Sequence, residues 1–171
     1  MTSATSNDAI RDAAARVLDA CRARRLKVAS AESCTGGLVA AALTEIPGSS
    51  DVFDRGFVTY SDAAKQQTLS VAAAILERHG AVSRQTADAM ATGALTMSDA
   101  DLAVAITGIA GPAGGSAEKP VGLVHFAAAS RDGCRIHRER RYGDAGRSAV
   151  RQQAVAEALA MLELLAAGER I

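Results

Sequence analysis

The side chains best suited to chemistry are two hydroxyls and a thiol, Ser33-Cys34-Thr35, inside the stretch Ala31-Glu32-Ser33-Cys34-Thr35-Gly36-Gly37, and a lysine, Lys65, in a second turn further along. A serine hydroxyl can hydrolyse an amide when a neutral lysine takes its proton and backbone N–H groups hold the oxyanion. Such a lysine must have its pKa brought from ~10.4 toward ~7–8, a penalty of roughly 4 kcal/mol that burial and neighbouring charge have to impose. The other reading of Lys65 is a solvated helix lysine. Cys34 is a rival nucleophile, but His79 looks like a helix end, His125 lies within a strand and His137 sits on a charged edge. With no defined histidine partner, Cys34 also reads as a small buried filler. Arg147 and Arg151, one helical turn apart, could grip a phosphate as bidentate donors or simply form a solvated face. The histidines lack ligand spacing such as HExxH, so neither a metal nor a cofactor is expected.

These groups need elements to hold them. Leu26-Lys27-Val28-Ala29-Ser30 alternates as a half-buried strand does, and Leu38 to about Ile46 runs on in helix formers before Pro47-Gly48 ends it. The stretch between them is therefore a strand-to-helix turn, a place where unpaired N–H groups make an anion site. In the alternative reading, Thr35 or Ser33 caps the helix and the glycines only let strand and helix pack closely. Gly56 to Tyr60 is a second strand, and Ser61 or Asp62 caps the helix that carries Lys65. From one turn into that helix the lysine can reach back over the strand end, where the Ser33 turn also lies if the two strands are parallel neighbours.

Leu102 to Thr107 is a nearly continuous apolar run, as expected of a strand covered on both faces. The non-periodic run Gly108 to Pro120 after it reads as a binding loop rather than a flexible excursion, because α/β sheets carry ligands where a buried strand ends. Helices are expected from Asn7 or Asp8 to about Cys21, over Ala72 to Arg78, from Arg84 to about Met97 and from Arg147 to about Ala167. Val121 to Ala129 and Cys134 to Tyr142 form a closing antiparallel hairpin around Arg131-Asp132-Gly133. Together these predict an α/β fold, one three-layer α/β/α domain over residues 1–171 with a mixed five-stranded sheet and a frayed tail over 1–7. The edge strand Cys134 to Arg141 is one along which a second copy could pair.

Composition excludes several classes. Nineteen basic and nineteen acidic residues cancel to a net charge of zero, and Trp is absent beside two Tyr and three Phe, which argues against nucleic acid as partner. Cys21, Cys34 and Cys134 are odd in number and include no CxxC pair, so a reducing compartment is expected. The first eight residues lack a basic start and an apolar h-region, and no apolar run reaches the ~20 residues of a membrane span. A cytoplasmic protein without membrane partners is the expectation.

Several blocks also resemble a known family: Ala31 to Gly37, Pro47-Gly48-Ser49-Ser50, Arg55 to Ser61 with Ala64-Lys65, Gly80-Ala81-Val82-Ser83, and Thr107 to Pro112 through Gly114-Gly115-Ser116 and Glu118 to Gly122. In this order they closely resemble the CinA C-terminal domain family, the nicotinamide mononucleotide deamidases, from about Asp8 to Leu165. The resemblance implies hydrolysis of the carboxamide of a small nucleotide to the carboxylate and ammonia, without a metal. It implies Ser33 as nucleophile and Lys65 as base, with Glu32, Cys34, Thr35, Gly36, Tyr60, Thr107, Gly108, Gly111, Gly114 and Gly115 around the substrate. The Gly-Asp…Arg block, here with two extra residues before Arg147, implies Arg147 at the phosphate, with Arg151 as the neighbouring candidate. Some family members carry a further N-terminal domain, so only the deamidase half is implied here. A non-catalytic nucleotide or phosphate module, and an amidase for another amide, are the competing expectations.

Overall fold

The structure, a computed structural model, describes residues 6–168. Its first helix, α1 (Asn7–Arg24), is capped by Ser6, whose hydroxyl accepts from the Ala9 amide. Residues 6 and 7 are therefore part of a helix start rather than the expected tail, and residues 1–5 lie outside the described residues. After α1 come β1 (Val28–Glu32), α2 (Leu38–Thr44), β2 (Phe53–Val58), α3 (Asp62–Leu69), α4 (Ala73–His79), α5 (Arg84–Thr96), β3 (Leu102–Gly108), β4 (Leu123–Ser130), β5 (Arg135–Arg141) and α6 (Arg147–Ala167).

The strands form one sheet in the order β2-β1-β3-β4-β5. β1 runs parallel to both β2 and β3, while β4 and β5 return antiparallel. The expected mixed five-stranded sheet is what forms. Strand alternation divides its side chains between two cores. Val28, Leu102, Val104, Ile106, Val124 and Phe126 pack with α1, α2 and α6. Ala29, Ala31, Ala103, Ala105, Ala127 and Ala129 pack with α3, α4 and α5.

Boundaries moved where pairing overrode local pattern. β1 starts two residues later than its alternation suggested and continues to Glu32, because Ala31 and Glu32 still find partners on β2 and β3. β2 lies earlier, over Phe53–Val58, since it must match that register. Thr59 and Tyr60 fall just beyond the strand, above the sheet's end.

Candidate active site

The parallel pairing of β1 with β2 sets Glu32 opposite Val58, so the two following turns begin side by side. The Thr59 amide donates to Glu32 O at 2.9 Å and the Ser33 amide to Ile106 O at 2.9 Å, which extends strand-like pairing by one residue beyond β1. Alternation then sends Ser30 and Glu32 toward α2 and turns Ser33 toward the α3 side. Ser61 caps α3 by accepting from the Ala64 amide at 3.0 Å. Lys65 follows in the first turn of that helix, and its side chain leans back toward the helix N-terminus.

The Lys65 ammonium thereby donates to Ser33 Oγ at 3.0 Å and to Thr59 O at 2.9 Å, with only 1% of the residue exposed. Burial lowers its pKa from the ordinary lysine value, against the opposing pull of Asp62 and Cys34. Cys34 lies beside the pair, but burial pushes its thiol up to about 12, so at neutral pH it is a thiol and a poor nucleophile.

The far wall is the segment after β3. It folds back on itself: the Ile109 amide donates to Leu123 O and the Gly122 amide to Ile109 O. At Gly122, with φ +88°, an added Cβ would lie 2.3 Å from Gly143 O, which only glycine accommodates. Thr107 fixes a neighbouring loop by donating to Ala81 O at 2.7 Å. Arg147, at the start of α6, donates to Gly111 O at 2.9 Å and to the Tyr60 hydroxyl at 2.7 Å. Between these walls lies a cavity of about 260 Å³ that contains Ser33, Lys65, Tyr60, Thr107, Gly108, Gly111 and Arg147. Two wider depressions, about 560 Å³ between α1, α2 and α6 and about 450 Å³ at the opposite end of the sheet, hold no such nucleophile and base. Chemistry rather than volume therefore picks the site.

With this geometry in view, the CinA C-terminal domain model matches residues 10–166. The chain belongs to that family. A relative from Escherichia coli strain K12, the nicotinamide-nucleotide amidohydrolase PncC, is 53% identical over 148 residues, which cover 86% of this chain and 88% of that protein. A CinA-like protein of a Synechococcus strain is 54% identical over 86% of this chain, but the match spans only 36% of that longer protein. Among solved structures, the competence/damage inducible protein CihA of Agrobacterium tumefaciens superposes with a TM-score of 0.91 at 55% identity, covering 96% of this chain and 99% of that one. A CinA superfamily protein of Klebsiella pneumoniae does so at 0.88 and 40%, covering 93% and 98%.

Of the positions that the CinA resemblance singled out, the cavity gathers Ser33, Cys34, Tyr60, Lys65, Thr107, Gly108, Gly111, Gly114 and Arg147. Glu32, Thr35, Gly36, Gly115 and Arg151 are not on its wall. Glu32 is fully buried, and its carboxylate accepts from the amides of Gly37, Val39 and Ala40 and from the Ser30 hydroxyl. This corrects two expectations. The α2 N-terminus is no open anion site, and neither Thr35 nor Ser33 caps it, because a carboxylate from the preceding strand already holds its free donors. Arg151 is half-buried and off this cavity's wall, because its guanidinium is held on Cys34 O at 3.1 Å and Thr35 O at 3.0 Å.

Sequence reasoning missed two parts of the site. Ala81 and Val82, between α4 and α5, complete the cavity wall. Thr59 supplies the carbonyl that anchors the lysine. The only signals were the Gly80 to Ser83 block and the position of Thr59 at the strand end, and neither carries a side-chain chemistry that marks it.

Proposed function

We propose that this chain hydrolyses the carboxamide of nicotinamide mononucleotide to the carboxylate and ammonia, with Ser33 as nucleophile and Lys65 as general base. One observation carries the mechanism: the 3.0 Å contact between the Lys65 nitrogen and Ser33 Oγ in a site where the lysine is buried. The substrate is carried by relatives such as PncC of Enterobacter agglomerans, a nicotinamide-nucleotide amidohydrolase 54% identical over 79% of this chain and 82% of its own.

In its neutral form Lys65 accepts the Ser33 proton as Oγ adds to the amide carbon. Collapse of the tetrahedral species passes that proton to the departing nitrogen, releases ammonia and leaves an ester on Ser33. Water, deprotonated by the same lysine, then frees the carboxylate. Arg147 uses two of its N–H groups on Tyr60 and Gly111 and keeps others for the substrate phosphate at the cavity mouth. The proposal places this work in the cytoplasm: no described helix is long and apolar enough to cross a membrane, and the three cysteines are free.

Ammonia release from the mononucleotide, with nicotinamide riboside as control, tests the reading. Wild type should turn over the nucleotide far better than the riboside, and Ser33→Ala should lose on the order of 10³-fold or more while staying folded. Added hydroxylamine should divert the Ser33 ester to a hydroxamate. Ser33→Ala at full turnover would end the mechanism, and tight binding without ammonia from the wild type would replace it with a binding module.

A further inference from the structure

A further cavity, of about 300 Å³, lies on the α5 side of the sheet and shares only Val82 with the wall around Ser33. The chain has three histidines, and all of them gather here. His79 and His125 line the cavity, and His137 on β5 bonds to His125, Nε2 to Nδ1, at 3.2 Å. Strand alternation puts His125 on the face that carries Ala127 and Ala129, with 8% of it exposed. Burial holds both imidazoles of the pair below the ordinary histidine value, so they are neutral at pH 7. In a neutral pair one of the two facing nitrogens donates and the other accepts, which leaves His125 Nε2 with the opposite capacity to its own Nδ1. The Glu139 carboxylate stands 3.9 Å from that Nε2, beyond hydrogen-bond reach. Among the described residues the nitrogen therefore has no hydrogen-bond partner. A buried polar atom left open at a cavity wall points to a ligand that meets it.

Charged groups complete the wall: Arg84, Lys119 and Arg141 beside Glu118 and Glu139. Lys119 gives one N–H to His79 O at 2.6 Å, Arg141 gives its Nε to Glu139 at 2.9 Å, and Arg84 leans on Asp88 at 3.5 Å, so each cation keeps donors free. Lys119 and Arg141 both lie near enough to His125 to repel a proton there. A bare phosphate ion would meet these cations but also two carboxylates that repel it. A neutral sugar would leave the cations unused. A phosphate ester of a polyol uses both sets: its phosphate takes the free cationic donors, and its hydroxyls donate to the carboxylates and meet His125 Nε2. The cavity is also larger than a single ion fills and is in the range of small-molecule sites.

We propose that this cavity is a second binding site, for a sugar phosphate of about pentose size, with Arg84, Lys119 and Arg141 on the phosphate and Glu139 and His125 on the hydroxyls. The site is separate from the catalytic cavity and does not depend on the reaction assigned to Ser33.

Protein isotope-labelled only at histidine tests this by NMR, because no histidine lines the catalytic cavity. Titration with ribose 5-phosphate at fixed pH should move the His79 and His125 ring signals saturably, along the same curve in wild type and in Ser33→Ala. Ribose and inorganic phosphate should each bind about tenfold or more weakly than the ester that joins them. Arg84 and Arg141 are exposed, so the double variant Arg84→Ala with Arg141→Ala should keep its circular dichroism spectrum and still weaken ribose 5-phosphate about tenfold or more. Ring signals that ignore ribose 5-phosphate would overturn the proposal, as would equal affinity for inorganic phosphate or an unchanged affinity in the double variant. So would a response abolished by Arg147→Ala and kept in the double variant, since that places the sugar phosphate in the catalytic cavity.

Discussion

The two faces of the sheet are built differently. Toward α1 and α6 it presents Leu102, Val104, Ile106, Val124 and Phe126; toward α5 it presents alanines from β1, β3 and β4. Large side chains bury more apolar area, so the first face supplies most of the hydrophobic stabilisation. The alanine face lets helices come close. α5 lies against it, and at Gly93 an added Cβ would stand 2.1 Å from Leu69 O, the last residue of α3. α3 in turn carries Lys65. One face holds the molecule together, and the other sets the distance between a lysine and a serine.

That division can be broken from either side. Lys65→Met should abolish turnover, by ~10³-fold or more, yet raise Tm by a few degrees, because a buried ammonium gives way to an apolar chain of similar length. Activity assays paired with calorimetry check both signs, and a Tm that falls would mean that the lysine is a structural donor instead. Gly93→Ala comes next. Its methyl must push α3 away, and a displacement near 1 Å at Lys65 is expected to cost about 100-fold in kcat. Phe126→Ala on the opposite face should destabilise by about 3–5 kcal/mol in urea titrations while the folded fraction keeps its kcat. If Phe126→Ala and Gly93→Ala lowered kcat equally, the contrast between the faces would dissolve.

The smallest effect concerns pH. Lys65 acts as base when neutral, so kcat/KM should rise with pH through its folded pKa, which burial holds below the ordinary lysine value. Folding stability gains in the same direction: the unfolded chain binds the extra proton between the folded pKa and ~10.4, so this group's penalty diminishes as pH rises through that window. Asp62 opposes the shift, so Asp62→Asn should move the kinetic limb slightly lower. A limb displaced upward would contradict the charge assignment.

Much of the fold was legible in local pattern. Ser61 caps its helix as the sequence suggests, and α6 spans the expected residues. The hydrophobic run of β3 does mark a strand covered on both faces. The misreadings concern residues whose partners lie outside a short window. The family resemblance set Glu32 beside the substrate, and local capping rules gave it no other role; it lies five, seven and eight residues before the amides that it holds, outside any capping-box spacing. Arg151 looked solvated because its carbonyl partners stand 116 and 117 residues earlier.

The sequence by itself determined which segments are helices and strands, where glycine must allow the chain to turn, and which hydroxyl and amine are available for chemistry. These follow from side-chain periodicity and backbone preference, which act over a few residues. Only the tertiary structure decided that Lys65 meets Ser33, that Glu32 fills the α2 N-terminus and that Arg151 holds the turn. Such meetings depend on strand order and helix approach, fixed by packing an alanine face against α5 and a bulky face against α6, and no local pattern encodes that outcome.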